Sequence, residues 1–204
     1  MYRWCAEAAD GLRIDYPVEG EGISEVLADL LNRVELYDLI LVDSWHTYDS
    51  SLRDMRLALS VLKEEGVLVV HDCLPPSAVL VEPSYVVGDW CGETYAAMID
   101  FVAGDPALDV YTVDADFGCA MIRRRPAAGL PAGPTRPDPI ALAGWGVGDP
   151  ADRFRYFEAH SAGLLNLVSI EEFLVREGLV PFQRRRRGRW EKVREYLFLI
   201  CSSL

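Results

Sequence analysis

The sequence predicts an α/β fold with a mainly parallel sheet that ends in an antiparallel hairpin, followed by C-terminal helices. Two short runs, residues 39–42 (LILV) and 67–70 (VLVV), are continuously apolar, which is typical of strands buried on both faces. A helical pattern lies between them. Strand, helix and strand in this order form a βαβ unit, whose crossover is right-handed in nearly all proteins.

Individual residues mark the limits of this unit. The first strand ends at Asp43 and the second at Asp72, shortly before Pro75, which does not continue regular structure. Between the strands, residues 51–65 repeat apolar side chains at helical spacing, and Gly66 follows as a signal for the helix end. We therefore expect this helix to connect two neighbouring parallel strands.

Downstream segments complete the predicted sheet. Residues 92–103 form a helical pattern, and residues 109–116 and 117–124 are typical of two strands with Gly118 between them. Because their separation is short, we expect a hairpin. It adds an antiparallel pair at the edge of the sheet.

The chain divides into three predicted parts. Residues 1–125 form the sheet domain, residues 126–150 are rich in Pro, Gly and Ala and predict a linker or long surface loop, and residues 151–204 form a helical extension. Within the extension we expect helices at 152–166, at 169–177, where Ser169 to Glu172 form a capping box, and at 190–200.

Composition and charge limit the possible partners. The 204 residues are 50% hydrophobic and 25% charged, which is the balance of a globular protein. The net charge of −12 opposes phosphate backbones, so we expect a small-molecule partner and no nucleic acid. No run approaches the ~20 apolar residues of a membrane span, so no membrane partner is expected. Five scattered cysteines without a C-x-x-C pair favour a cytoplasmic location over a disulfide framework or zinc site.

Candidate functional residues follow the two predicted strands. The carboxyl ends of neighbouring parallel strands meet at one edge of the sheet, so Asp43 and Asp72 should project from the same edge and could share a divalent cation. Ligands usually gather at this edge in open α/β sheets. His46 lies three residues beyond Asp43, where its imidazole could act as a base toward a hydroxyl bound to the same cation.

Each of these residues also has a structural interpretation. An aspartate at a strand end often caps the following turn, and a loop histidine is often only hydrogen-bonded. Trp45 and Trp90 could form the wall of a substrate pocket or simply pack internally. The arginines of residues 184–187 could bind phosphate, but in this acidic chain a solvated face is the commoner arrangement.

One segment carries a specific family resemblance. Residues 37–72, YDLILVDSWHTYDSSLRDMRLALSVLKEEGVLVVHD, combine an acidic strand end, x-x-His-x-Tyr, Leu-Lys-x-x-Gly and a second strand ending in His-Asp. This pattern resembles the class I S-adenosylmethionine-dependent methyltransferases, in the family grouped with small-molecule and sugar O-methyltransferases. Some of these, the macrolide-sugar enzymes, use magnesium. The resemblance covers residues 23–125 and implies a Rossmann-like sheet.

The resemblance also implies a cofactor and residue roles. S-adenosylmethionine is the implied cofactor, with Gly22, Ser24 and Asp43 as candidate cofactor-binding residues. Asp43 and Asp72 correspond to ligands of Mg2+, and His46 corresponds to the general base for a small-molecule hydroxyl. His71 stands beside the second ligand, at a position that is acidic in some relatives.

The N-terminal part of the family fold is short in this sequence. Such methyltransferases need a glycine-rich turn after the first strand and an acidic residue after the second. Residues 19–24 (EGEGIS) superficially resemble that turn, but they and the following helical pattern fit the third strand and helix better. We therefore expect an N-terminally incomplete sheet, with LILV as its unpaired edge. The chain could be a fragment, a degenerate relative, or a subunit whose sheet is completed by a partner chain or second copy.

Three functions compete on this evidence. The leading one is methyl transfer from S-adenosylmethionine to a hydroxyl of a small molecule, assisted by a divalent metal. The alternative is a truncated or degenerate, non-catalytic protein that keeps the fold and serves as a binding or assembly subunit. A metal phosphohydrolase built on His46, His71, Asp72 and a later aspartate is disfavoured, because such histidine-aspartate sites normally lie on helices, whereas VLVVHD is typical of a strand.

Overall fold

The computed structural model describes residues 36–43, 45–125, 136–146 and 150–179. Its strands are β1 (Tyr37–Val42), β2 (Leu62–Val70), β3 (Leu108–Val113), β4 (Cys119–Arg124) and β5 (Leu167–Val168). Its helices are α1 (Tyr48–Val61), α2 (Thr94–Gly104), α3 (Pro139–Gly144), α4 (Pro150–Leu165) and α5 (Ile170–Arg176), with a short 3₁₀ helix at Ala78–Val81. In this part of the chain the strands form one sheet in the order β1-β2-β4-β3-β5. Residues Glu35–Gly178 form a compact unit.

The predicted βαβ unit is present. β1 and β2 are parallel, with Leu41 opposite Val69 and Val42 opposite Val70. The pairing extends past the strand, since the backbone N–H of His71 donates to the carbonyl of Val42 over 3.0 Å. This register fixes the ends of the two strands at one edge of the sheet.

The predicted hairpin is also present. β4 is antiparallel to both β3 and β2, and Val69 of β2 lies opposite Met121 of β4. The turn needs glycine, because Gly118 has φ +86° and a Cβ there would lie 2.4 Å from the Cβ of Leu74. β5 pairs with β3 in parallel, so the described sheet mixes parallel and antiparallel pairs. The predicted α/β sheet with an antiparallel hairpin is confirmed, but among the described strands the sheet is mixed rather than mainly parallel, and the hairpin does not lie at its edge because β5 pairs beyond it.

The helix α1 has different limits from those predicted. Its N-cap is Thr47, whose side chain accepts from the backbone N–H of Ser50, and it ends at Val61 rather than at residue 65. Gly66 does not end the helix but lies within β2, where a Cβ would come within 2.7 Å of Leu62 Cγ. Tyr37 of β1 pairs with Leu62 of β2, but Leu39 pairs with Val67, so the register shifts there and the residues of β2 between Leu62 and Val67 have no regular partners on β1. A glycine needed by a strand therefore looked like a helix end in the sequence.

One face of the sheet carries the main core. Met55 of α1, Ile99 of α2 and Phe157 of α4 are at most 1% exposed and belong to one hydrophobic cluster with Leu68 of β2. This burial of apolar surface is the main stabilising contribution to the fold. On β1, in contrast, Leu39 and Leu41 are 63% and 46% exposed.

The region after the hairpin adds to this unit. α3 lies within the stretch 126–150 that was expected as a linker. The predicted capping box is present in α5, where the Ser169 side chain accepts from the backbone N–H of Glu172. Within the described ranges, no helix is both long and apolar enough to cross a membrane. The domain boundaries remain predictions, and the predicted helix at 190–200 and the arginines at 184–187 lie outside the described residues.

Candidate metal and base site at the carboxyl edge of the sheet

Two aspartates meet where β1 and β2 end. Asp43 directly follows β1, and Asp72 lies two residues beyond β2. Asp72 is only 4% exposed and has φ +59°, a left-handed conformation that is uncommon for a residue other than glycine. Such a backbone conformation in a buried charged residue persists only when its surroundings hold it, and it is found most often at functional sites.

His46 lies between these carboxylates. Its Nε2 is 3.1 Å from Oδ1 of Asp43 and 3.0 Å from Oδ2 of Asp72. Its Nδ1 donates to the backbone carbonyl of Trp90 over 2.5 Å. Because a carbonyl oxygen only accepts, Nδ1 carries a proton and Nε2 is the atom directed at the two aspartates. The geometry therefore fixes the orientation of the imidazole and keeps a proton on its Nδ1.

The segment that follows Trp90 holds the His46 backbone in place. The N–H of Glu93 donates to the His46 carbonyl over 2.7 Å. Gly92 passes so close that a Cβ would lie 2.1 Å from that oxygen, and its φ of +54° also favours glycine. Two segments far apart in the sequence thus fix the position of this histidine.

His71 connects the two aspartates to a third carboxylate. Its Nδ1 lies 3.3 Å from Asp72 Oδ2 and 3.6 Å from Asp43 Oδ1, and its Nε2 lies 3.4 Å from Asp116 Oδ2. Within the described ranges, neither buried ring nitrogen makes a hydrogen bond of acceptable geometry. Sequence reasoning missed Asp116, which lies in the β3–β4 turn with φ +43°.

The charged side chains of this cluster shift one another's pKa values. Burial disfavours a charged Asp43, but its contacts with His46 and His71 outweigh burial and hold the pKa of this carboxyl well below its usual range. Burial also disfavours an imidazolium at His71, yet Asp43 and Asp72 raise its pKa to about 11. The same carboxylates, against the effect of burial, raise the pKa of His46. The cluster thus favours positive charge between its aspartates.

The donor atoms suit a divalent cation. One ligand atom from each of Asp43, His46 and Asp72 lies within 4.8 Å of the others. Carboxylate oxygens are the ligands that Mg2+ and Mn2+ prefer, and an imidazole nitrogen adds a further possible donor.

The structure therefore brings together three of the five residues proposed from the sequence. Asp43, His46 and Asp72 share one site, whereas Gly22 and Ser24 lie outside the described residues. The carbonyl of Trp90 was not predicted as a partner of His46, because 44 residues separate the two in the sequence. An α/β protein with a carboxylate and imidazole cluster at the carboxyl edge of its sheet is the class that the fold and site define.

Comparison with known proteins points to one kind of domain. Residues 9–73 match a family model described as a methyltransferase domain, and this segment includes Gly22, Ser24, Asp43, His46 and Asp72. The match confirms the methyltransferase resemblance over the residues that form the site. No curated protein sequence matches the chain.

Two solved structures align with part of the chain. One is a putative O-methyltransferase from Klebsiella pneumoniae, with 13% identity and a TM-score of 0.34. The other is the SAH-bound methyltransferase PaMTH1 from Podospora anserina, with 20% identity and a TM-score of 0.37. Each alignment covers 49% of this chain and 46% of the solved one, so the chain spans less than half the length of these proteins.

Proposed function

We propose that this chain carries the catalytic edge of an S-adenosylmethionine-dependent methyltransferase that methylates a hydroxyl of a small molecule. The observation that carries the proposal is the position of His46. Its Nε2 lies within 3.1 Å of both Asp43 and Asp72, while the carbonyl of Trp90 holds its Nδ1. In this arrangement Asp43 and Asp72 bind the cation, expected to be Mg2+, and His46 is the general base.

The proposed step balances in atoms and charge. Nε2 of His46 takes the proton of the acceptor hydroxyl while the hydroxyl oxygen forms a bond to the methyl carbon of S-adenosylmethionine. The bond from this carbon to sulfur breaks, and the electron pair remains on sulfur in S-adenosylhomocysteine. The Trp90 carbonyl, which accepts from Nδ1 over 2.5 Å, stabilises the resulting imidazolium. A divalent cation supplies charge that orients the hydroxyl and lowers its pKa.

Cofactor binding involves residues beyond the described part of the chain. The proposal keeps Gly22, Ser24 and Asp43 as cofactor-binding residues, supported by their presence in the matched segment 9–73. Asp43 would then contribute to both the cofactor and the cation site. A second copy or a partner chain beside β1 is the proposed means of completing the sheet.

Replacement of His46 by Ala tests the proposal. In the assembly that binds cofactor, we expect turnover to fall by about 10²-fold or more, the usual loss for a general base, with little change in cofactor affinity. Transfer of a labelled methyl group to a panel of hydroxylated acceptors measures turnover, and calorimetry measures affinity. His160→Ala, which removes an exposed histidine of α4, is the matched control. Equal losses of turnover and affinity in His46→Ala would assign His46 a structural role.

A second candidate function is that of a non-catalytic assembly subunit. Among the described strands β1 lies at an edge of the sheet, and its leucines Leu39 and Leu41 are 63% and 46% exposed. They favour this function because an edge strand with apolar side chains pairs readily with another chain. Titration of the chain alone with S-adenosylmethionine, alongside light scattering, separates the two functions. Tight one-to-one binding by a monomer supports the enzyme, whereas association without cofactor binding supports the assembly subunit.

A further inference from the structure

The turn between β3 and β4 reaches the candidate site through Asp116. Oδ2 of Asp116 lies 3.4 Å from Nε2 of His71, which is an ion-pair distance. On the other side of the same ring, Nδ1 lies 3.3 Å from Oδ2 of Asp72 and 3.6 Å from Oδ1 of Asp43. One imidazole therefore stands between the turn and both proposed cation ligands.

The turn is fastened to the chain directly after Asp72. The N–H groups of Cys73 and Leu74 donate to the carbonyls of Gly118 and Phe117, over 3.0 and 2.5 Å. Both bonds join main chain to main chain, so they fix the position of the turn relative to the carboxyl edge of the sheet. The contact between the turn and the site is therefore built into the backbone.

The turn itself does not need the charge of Asp116. Asp116 and Phe117 have φ +43° and +55°, and the N–H of Gly118 donates to the carbonyl of Ala115 over 2.8 Å. This is the pattern of a type I′ turn, which favours Asn, Asp or Gly at its first central residue. Asparagine would serve the hairpin as well as aspartate does. The carboxylate of Asp116 therefore has its specific contact with His71.

Both ring nitrogens of His71 face groups that only accept. Nε2 faces the carboxylate of Asp116, and Nδ1 faces those of Asp43 and Asp72. An imidazole with a proton on each nitrogen fits these surroundings, and such a ring is positively charged. His71 therefore places a positive charge beside the two proposed cation ligands.

Asp116 offsets this positive charge. Three carboxylates and one imidazolium leave two net negative charges in the cluster, and removal of Asp116 leaves one. The affinity of a protein site for a divalent cation rises with the number of its negative charges. The orientation of the ligands matters as well, and groups behind them control it. Asp116 can therefore act on cation binding without touching the cation.

We propose that Asp116 is a positioning residue of the candidate site. It holds the His71 imidazolium against Asp43 and Asp72 and offsets its charge, so that these two carboxylates keep the orientation and the negative charge that bind a cation. The assignment rests on the proposed function, because it concerns the same cation site. The chemistry itself stays with His46.

The replacement Asp116→Asn tests the assignment, because asparagine suits the turn but carries no charge. NMR of the imidazole nitrogens in the full chain, without metal or cofactor, reports on His71 directly. The chain has three histidines, and the two others are His46 and His160. We expect Asp116→Asn to shift the Nε2 resonance of His71 and to leave that of His160 unchanged. Asp114→Asn, which removes an exposed charge from the same turn, is the matched control and should leave His71 unaffected.

Cation binding is the second measurement. In calorimetric titration with Mn2+, Asp116→Asn should raise Kd by about tenfold or more, the usual scale for a residue that acts through a metal ligand. Asp114→Asn should bind Mn2+ as the unmodified chain does. Asp116→Glu, which restores the charge on a longer side chain, should recover part of the affinity. Tm of Asp116→Asn should stay close to that of the unmodified chain, which separates positioning of the site from stability of the fold.

Several outcomes overturn the assignment. An unchanged His71 resonance in Asp116→Asn shows that the contact does not hold the ring. An equal response in Asp114→Asn reduces the effect to charge acting over a distance. Unchanged Mn2+ affinity in Asp116→Asn removes its influence on the cation site. If the unmodified chain binds no Mn2+ while the His71 resonance still responds to Asp116→Asn alone, the cation site of the proposed function is refuted and the positioning of His71 by Asp116 is supported.

Discussion

A cluster of hydrogen-bonded polar side chains next to α4 allows a quantitative prediction about the free energy of unfolding. Asp100 of α2 accepts from Trp145 Nε1 over 2.6 Å through Oδ1. Its Oδ2 accepts from the Tyr48 hydroxyl over 2.8 Å and from Arg153 Nη2 over 2.6 Å. The Arg153 guanidinium also lies 4.7 Å from the Trp145 ring centroid. A single carboxylate therefore joins α1, α2 and α4 close to the start of α1, immediately after the His46 loop.

The replacement Asp100→Ala leaves three donors without this acceptor. A hydrogen bond to a charged group contributes about 1.5–3 kcal/mol, whereas an exposed ion pair contributes up to about 1 kcal/mol. The side chains of Arg153 and Asp100 are 25% and 28% exposed, so water can replace part of the loss. We expect a net cost of about 2–3 kcal/mol. At about 2–4 °C per kcal/mol for a chain of this size, Tm should fall by about 4–12 °C.

Urea denaturation followed by circular dichroism measures this cost. Asp152→Ala, which breaks an ion pair whose side chains are 82% and 59% exposed, is the control and should cost less than about 0.5 kcal/mol. In a double-mutant cycle, Asp100→Ala and Arg153→Met should be coupled by about 1 kcal/mol or more. A cost of Asp100→Ala no larger than that of the control, or additive effects in the cycle, would refute this reasoning.

The remaining predictions concern a pH-dependent contact, a close approach and a helix end. Burial raises the pKa of Glu177, but its ion pair with Arg123 outweighs burial and holds this pKa below 4.5. The ion pair between Glu177 and Arg123 therefore stabilises the fold above pH 4.5, and this stabilisation is lost as the pH falls through the lowered pKa. The destabilisation caused by Glu177→Gln should therefore shrink below pH 4.5 in denaturation curves; a constant difference would contradict this. Gly92→Ala should displace the His46 carbonyl, which a Cβ would approach to 2.1 Å, and lower Tm by several degrees; an unchanged Tm would contradict the observed contact. Arg136→Leu removes donors to two backbone carbonyls at the end of α2 and one at the start of β3, and should cost about 1–3 kcal/mol in urea denaturation, whereas a loss within error would show that water replaces them.

The sequence was most informative where local pattern and topology agree. Continuous apolar runs predicted β1 and β2, and parallel strands with a crossover helix must end at the same edge of a sheet. The proximity of Asp43 and Asp72 could therefore be predicted without any knowledge of packing. His46 followed from its spacing, because a loop of three residues keeps it near the end of β1.

Other features depend on contacts that local patterns do not contain. Gly66 was interpreted as a helix end, yet it is required by the close approach of Leu62 within β2. β5 has only two residues, too few for a recognisable strand pattern. Asp116 reaches His71 only after the hairpin folds back on β2. The D-A-D-F-G sequence of that turn was the available signal, since Asp and Gly tolerate positive φ.

Calorimetric titration of the full chain with Mg2+ and with Mn2+ examines the proposed cation site directly. We expect one cation to bind per chain, and Asp43→Asn and Asp72→Asn to weaken binding by about tenfold or more, since even indirect contacts to a bound metal contribute about that much. Asp38→Asn is the matched control, because this carboxylate lies on the same strand, β1, but its side chain is 84% exposed and pairs with Lys63. It should bind the cation as the unmodified chain does. Absence of cation binding by the unmodified chain, or equal binding by all three variants, would contradict a cation site between Asp43 and Asp72.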